Sequence, residues 1–349
     1  MSIVGIDLGG TKVAAASLRD GELGPAVIEH TDHSGQAGLL DQLAALVDRA
    51  KRDKLEAVGI GVPSVVEFET GRVISSVNVP LVDVPIRQVF GERLGVPVFV
   101  DNDATVAALA EAHDEKLRMV AKNLVMITVG TGIGGGLVLG GRIYRGATGG
   151  AGELGHTLVA ADLSARFPAV EGFPQPGSLE RVAAGSALDR LAAQVAASHP
   201  RSALGRRHAN GRSVLGADIV LAARGGDPPA IGALETWAEH VGIGVANAIN
   251  TFDPDEVVLG GGGARAGELL LEPARRVARS YVVPGLGRNT RIRLARHGAR
   301  AGVLGAGLLA LHELPPSISV ASKTAERRPP AHPAVGQPVS DHAGAARRD

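Results

Sequence analysis

A chain of 349 residues exceeds what one hydrophobic core usually holds and predicts about two domains. With 36 Lys+Arg against 36 Asp+Glu and aromatics at 3%, it lacks both the basic excess that neutralises nucleic-acid phosphates and the rings that stack bases. Cysteine is absent, which excludes disulfides, thiolate nucleophiles and cysteine-built zinc sites. No signal-type leader and no membrane-length apolar run is visible, so a cytoplasmic protein with neither nucleic-acid nor membrane partners is expected.

The first thirty residues read as three short strands, with turns at Asp7-Leu8-Gly9-Gly10-Thr11 and Arg19-Asp20-Gly21-Glu22. Leu39, Leu40, Leu43, Leu46, Val47 and Ala50 keep helical spacing, and residues 58–62 and 96–100 are apolar strands. The second strand ends at Asp101-Asn102-Asp103 and feeds a helix over 104–113. A second unit echoes the first: strand 123–129, turn Gly130-Thr131-Gly132, strand 133–139, turn 140–142. Helices are predicted over 185–198, 214–224 and 229–250. A strand over 257–259 ends in four glycines, and helices follow near 266–281 and 300–313. The domains expected are 1–115, completed by the helix near 300–313, and 116–299. Residues 315–349, rich in Pro, Ala and Arg without periodicity, read as a disordered tail.

Glycine is the unusual count, 48 residues, and it clusters between apolar runs where a backbone must turn tightly or approach a ligand. Asp7, Gly9, Gly10, Thr11 and Lys12 form a strand–turn–strand. Its N–H groups and hydroxyl suit phosphate oxygens, and its carboxylate suits a metal's water shell. Gly130, Thr131 and Gly132 repeat the recipe. Gly130, Gly132 and Gly135 satisfy G-x-G-x-x-G, but a strand follows where a dinucleotide fold needs a helix, and no Walker loop occurs. Asp103, at a helix N-terminus, is a candidate proton acceptor, although residues 101–103 could also simply cap the helix. Glu153 and His156, three residues apart, and Glu180 at another helix start add groups that would suit the hydroxyls of a polyol if they converged.

DLGGTK, VDND, TVGTGIGGGL, GELGH and the late LE resemble, in order and at about the same spacing, the motifs of the ROK sugar kinases over residues 3 to about 312. The resemblance implies an α/β, two-domain actin-like (ribonuclease H-like) ATPase fold with the active site in the interdomain cleft. It implies Asp7 to Lys12 and Gly130 to Gly132 as phosphate loops, and Gly260, Gly261, Gly262 and Gly263 beside the adenosine. Asn78, Asn102, Asp103, Glu153, His156 and Glu180 would bind the sugar, with Asp103 the base. ATP and Mg²⁺, the latter held through water near Asp7, are the expected cofactors, and a homodimer or higher homo-oligomer the expected assembly. Many members carry a three-cysteine zinc loop after the G-H motif. Here Gly177 and Glu180 remain but no cysteine does, so no zinc is expected, and Phe173 with neighbouring prolines is expected to hold the loop. Glucose is the leading substrate, with fructose, mannose, N-acetylglucosamine or N-acetylmannosamine as alternatives and polyphosphate as an alternative donor. A sugar-binding regulator is the rival reading, but the first phosphate loop begins too early to leave room for a helix-turn-helix ahead of it.

Overall fold

The structure, a computed structural model, describes residues 2–76, 78–160 and 170–315. The expected disordered tail, beyond its first residue, lies outside the described residues.

Strands β1 (Ser2–Leu8) and β2 (Lys12–Arg19) form an antiparallel hairpin, widened by β3 (Glu22–Leu23) and β4 (Val27–His30) on β2. Helix α1 (Gln36–Ala50) leads to β5 (Leu55–Val62), parallel to β1. Three short strands, β6 (Ser64–Glu67), β7 (Arg72–Ser76) and β8 (Val84–Pro85), make a separate antiparallel sheet. Then α2 (Ile86–Leu94) precedes β9 (Val98–Asn102), parallel to β5, which runs directly into α3 (Asp103–Glu111).

The second half opens with the hairpin β10 (Leu124–Val129) and β11 (Ile133–Leu139), followed by β12 (Arg142–Ile143). Helices α4 (Leu179–Ala183), α5 (Gly185–Ser198), α6 (Ala203–Ala209), α7 (Gly216–Arg224) and α8 (Pro228–Phe252) come next. Strand β13 (Glu256–Gly260), helix α9 (Glu268–Tyr281), strand β14 (Arg291–Leu294) and helix α10 (Ala301–Glu313) complete the described chain. No helix among the described residues is long and apolar enough to cross a membrane.

The two main sheets repeat one order: β3-β2-β1-β5-β9 and β12-β11-β10-β13-β14. The short sequence echo is therefore the visible part of a topological repeat. In each sheet three strands are parallel, so their C-terminal ends lie together. Asp7 and Asp103 sit at that end of the first sheet, and Gly130 and Gly260 at that end of the second. Ligands of open α/β sheets bind beside these ends.

Each sheet has its own apolar cluster, built on α1 in the first half and on α8 and α9 in the second. A third cluster joins them through α3 and α10, which meet Ile3, Ala57, Met126 and Val258. Helix α10 approaches β1, β5 and α3 closely at glycines, and a β-carbon at Gly5 would overlap the Val303 carbonyl. A β-carbon at Gly59 would overlap the Ala306 carbonyl, and one at Gly305 the Val106 carbonyl. The expected boundary near residue 115 falls in the stretch between α3 and β10.

Candidate active site

The first hairpin turn is tight: Gly9 N–H donates to Lys12 O at 2.9 Å. Thr31 Oγ1 donates to Gly9 O at 2.7 Å, and His33 Nε2 lies 2.8 Å from Gly10 O, so two residues of the following segment brace the turn from outside. Asn78 stands against Gly10, where an added β-carbon would come within 3.0 Å of it. Thr11 and Lys12 are exposed.

Asp7 is partly enclosed, and a β-carbon at Gly302 of α10 would overlap its carboxyl. Burial, with the charge of Asp103 adding to it, raises its pKa from 3.8 to about 6. Two desolvated carboxylates that repel one another make a setting that a divalent cation relieves.

Because the folded-state pKa of Asp7 is the higher one, folding takes up a proton between the two values. Its contribution to stability therefore falls as pH rises from 3.8 to about 6. Asp7→Asn, without nucleotide, should gain up to about 3 kcal/mol over the unsubstituted protein above pH 6 and nothing below about pH 4. Urea unfolding across that range checks this, and a pH-independent difference would show that Asp7 is not desolvated.

Asp103 is the first residue of α3. Burial raises its pKa and Glu153 raises it further, against the lowering effect of the Ala104 N–H, which donates to Oδ1 at 2.8 Å. Asn102 caps α3: its Oδ1 accepts from Ala104 N at 2.9 Å and Thr105 N at 3.2 Å. The capping alternative thus belongs to Asn102, and it leaves the amide nitrogen to donate to Ser64 O at 3.4 Å. Behind them Asp101, 2% exposed, takes Arg145 Nε at 2.7 Å, and Arg145 Nη2 reaches Glu313 at 3.0 Å. The Arg145 guanidinium lies 3.4 Å from the Phe68 ring centroid. Arg145 thereby ties β9, α10 and the segment after β12 together immediately behind the candidate base.

Asn102 and Glu153 line a cavity of about 220 Å³ together with Ser64, Ser75, Thr105 and Gly150. Ser64 is 7% exposed, and its hydroxyl has no partner among the described residues. Such a hydroxyl is costly unless something in the cavity accepts or donates to it. Glu153 carries His156 at 3.7 Å, and the His156 ring meets Phe173 edge-on at 5.2 Å. Glu180 lies on α4, which packs against the turn bearing His156 through Leu179 N–H on Thr157 O at 2.9 Å, and its Oε2 accepts the Ile133 N–H at 2.7 Å beside the second glycine turn.

Phe173 is 74% exposed, so it supplies little packing for the loop that precedes α4. The side chain of Gln175 holds the turn instead, accepting from Val170 N at 2.9 Å and donating to Val170 O and Gly172 O at 2.8 Å each. Among the described residues no three His, Cys, Asp or Glu side chains group as metal ligands.

The second turn closes with Gly130 N–H on Gly132 O at 2.8 Å, and Gly185 N–H at the start of α5 donates to Gly130 O at 2.8 Å. Gly130, Thr131, Gly262 and Gly263 line a cavity of about 630 Å³, walled by Leu188, Val220, Leu221 and the fully buried Trp237. Its apolar sides suit a flat heterocycle, and the glycine turns offer N–H groups to phosphates. Gly260 and Gly261 do not line it. They lie beneath, against Met126 and Val129. Gly135 and Gly136 have another task, since β-carbons there would overlap the Gly152 carbonyl and crowd the Ala104 carbonyl at 2.5 Å. These glycines let α3, with Asp103, and the loop bearing Glu153 close on β11.

A sequence profile described as the ROK family matches residues 3–313. The chain belongs to the ROK family. It is 33% identical to a glucokinase from Halalkalibacterium halodurans over 88% of this chain and 94% of the relative. The solved ROK glucokinase from Streptomyces griseus, in complex with glucose and AMPPNP, superposes with TM-score 0.72 at 32% identity, covering 89% of this chain and 100% of that one. A ROK hexokinase from Thermus thermophilus gives TM-score 0.71 at 38% identity over 90% and 99% of the two chains. The architecture is thus the actin-like, two-domain ATPase fold of the ROK sugar kinases. Similar relatives also include an N-acetyl-D-glucosamine kinase from Aliivibrio salmonicida, 31% identical over 87% of this chain and 98% of the relative. A xylose repressor from Caldicellulosiruptor bescii is 32% identical over 71% of this chain and 60% of its own length.

Several residues at this candidate site carried no signal in the sequence. Ser64 follows a proline at a strand break and Trp237 sits mid-helix, where apolar spacing reads as core. Thr31 and His33 brace the first turn from outside any motif. Thr31, His33 and Trp237 act through a neighbour distant in the chain, and the Ser64 hydroxyl faces the cavity without a partner among the described residues.

Proposed function

We propose that this ROK protein transfers the γ-phosphoryl group of ATP to the 6-hydroxyl of a hexose, glucose being the first substrate to test. The observation that carries the reading is that Asp7, at the first phosphate turn, is paired across the sheet with Gly61, whose added β-carbon would lie 3.5 Å from Asp103, while Asp103 adjoins Asn102 on the wall of a small polar cavity. A base, a phosphate turn and a sugar-sized recess then belong to one site.

In this reading Asn102 and Glu153, with the Ser64 hydroxyl, hold sugar hydroxyls. The turns at Gly9–Thr11 and Gly130–Gly132 hold the phosphates, and the 630 Å³ cavity takes the adenosine. Asp103 accepts the proton of the 6-hydroxyl as that oxygen bonds to phosphorus and the bond to ADP breaks. The raised pKa of Asp103 brings it nearer to working pH, where a base is most effective. Phosphoryl transfer has a loose transition state, so positioning weighs more than basicity. Mg²⁺, with Asp7 as the fitting carboxylate, would neutralise charge between the β- and γ-phosphates. Closure of the cleft would exclude water and limit ATP hydrolysis.

The test is ADP release across glucose, mannose, fructose, N-acetylglucosamine and N-acetylmannosamine, with ATP and with polyphosphate as donors. Turnover at least about tenfold above the rest with glucose supports the reading, and another preferred sugar replaces glucose within it. Binding of a sugar without turnover of any would favour a regulator, as in the xylose-repressor relatives.

We propose further that activity is independent of zinc, since His156 has no thiolate partners in a chain without cysteine. Purified protein should contain no stoichiometric zinc and keep its activity through a zinc-selective chelator. One tightly held zinc per chain, lost together with activity, would overturn this.

A further inference from the structure

A cavity of about 590 Å³ lies at the opposite end of the second sheet from the glycine turns. It is formed by the last turns of α9, the loop over 282–290 and the start of β14. Because β14 is parallel to β13 and β10, its first residue is about one strand length, roughly 15 Å, from the ends where nucleotide would bind.

Arg275, Arg279, Arg288 and Arg291 line this cavity, and no Asp or Glu does, in a chain whose charges cancel overall. The carboxylates nearby are already engaged. Glu272 takes Arg275 Nη1 at 2.6 Å, and Asp253 accepts the Gly287 N–H at 3.1 Å. Glu256 meets Arg291 only at 3.4 Å while also pairing with Arg293 and Arg296. The Nε and Nη2 groups of Arg275 are spent on Ile292 O. Arg279 and Arg288 are exposed and have no hydrogen-bond or ion-pair partner among the described residues.

Arg275 and Arg279 are one helical turn apart on α9 and repel one another, an arrangement that a shared counter-ion relieves. Arg279 also offsets the partial negative charge at the end of α9. Arg288, on the loop, has no such duty. The loop turns at Gly285 and Gly287, with φ of 105° and 61°, and places Asn289 on the wall of the same cavity. Guanidinium groups with free planar edges match phosphate oxygens two at a time.

We infer that this cavity binds a compact, multiply charged phosphate-bearing anion, either inorganic or carried on a sugar, at a site separate from the phosphoryl-transfer centre. The inference does not depend on the reading of the cleft, because the residues that carry it belong to neither glycine turn.

The test is titration calorimetry on the full chain, with the cleft saturated by AMPPNP, Mg²⁺ and glucose. Pyrophosphate and glucose 6-phosphate are the two probes. One site per chain is expected for at least one probe, weakening steeply with added salt. Arg279→Glu with Arg288→Glu should weaken it at least about tenfold, while Arg279→Lys with Arg288→Lys should weaken it less. Arg279→Glu gives up the compensation of the α9 end, so a small drop in melting temperature is expected of the double variant, and Arg288→Glu alone, which has no such duty, serves as a second variant whose melting temperature should hold. Binding of pyrophosphate alone assigns the inorganic source, and binding of glucose 6-phosphate alone the sugar-borne one. Equal affinity in the unsubstituted and charge-reversed proteins, or no binding of either probe, overturns the inference. So does a change in oligomeric mass on charge reversal without anion binding, which would make the cavity a contact between copies of the chain.

Discussion

Asp103→Asn should lower kcat by ~10²–10⁴-fold while changing sugar affinity only modestly. The amide oxygen still accepts a hydrogen bond, and Ala104 N–H can still donate to it, so the start of α3 keeps its geometry. What is lost is the group able to take the hydroxyl proton. The loss should appear in kcat measured by coupled ADP release, with sugar binding followed separately by calorimetry. Activity of the unsubstituted protein should also decline on the acid side, as pH falls through the raised pKa of Asp103 and the base becomes protonated. A variant keeping more than about a tenth of the original kcat, well outside that range, would remove Asp103 from the role of base.

Glu111→Ala should cost about 3–5 kcal/mol of stability, the range found when one partner of a buried ion pair is removed. Glu111 is at 0% exposure at the last turn of α3. It accepts from Arg293 Nη1 at 2.6 Å, from Arg296 N–H at 3.0 Å and from His297 N–H at 2.9 Å. Alanine would leave a guanidinium short of one carboxylate and two N–H groups without an acceptor. Arg293 keeps Glu256 at 2.6 Å, which limits the loss. Glu111→Gln should cost less, because an amide oxygen can still receive one of the N–H groups. Urea unfolding of the three proteins decides it, and a loss below about 1 kcal/mol for alanine would mean that the network is already satisfied without Glu111. The same helix carries Asp103 at its other end, so Glu111 anchors the candidate base to the second sheet.

The parts of this protein legible in its sequence are those settled by near neighbours. Asp7 to Lys12 and Gly130 to Gly132 read as turns because glycines stand between apolar strands. Asn102-Asp103 read as a strand end meeting a helix because alternation gives way there to helix formers. The echo between the halves was visible only at the two hairpins, although the sheets repeat their whole strand order. The rest of each repeat is held by apolar positions that many different residues can fill.

What the sequence did not disclose depends on partners far along the chain. Strand β14, Arg291–Leu294, carries arginines where a strand pattern wants apolar side chains. Arg293 is tolerated there, 13% exposed, because Glu111 and Glu256 come to it from 182 and 37 residues away. The small sheet of β6, β7 and β8 went unread because its strands are short and expose Val65 and Ile74. Glu180 read as a sugar ligand by its place in a motif, and the structure adds a partner that the motif does not show, the Ile133 N–H, set by how α4 docks on β11. Ser64 is unremarkable in sequence and becomes a candidate contact only once its hydroxyl is enclosed beside Asn102. Turns and helix starts follow from backbone preferences acting over a few residues. Which buried charge meets which, and which polar atom is left facing a cavity, is decided by desolvation, and that exists only when distant segments have closed together.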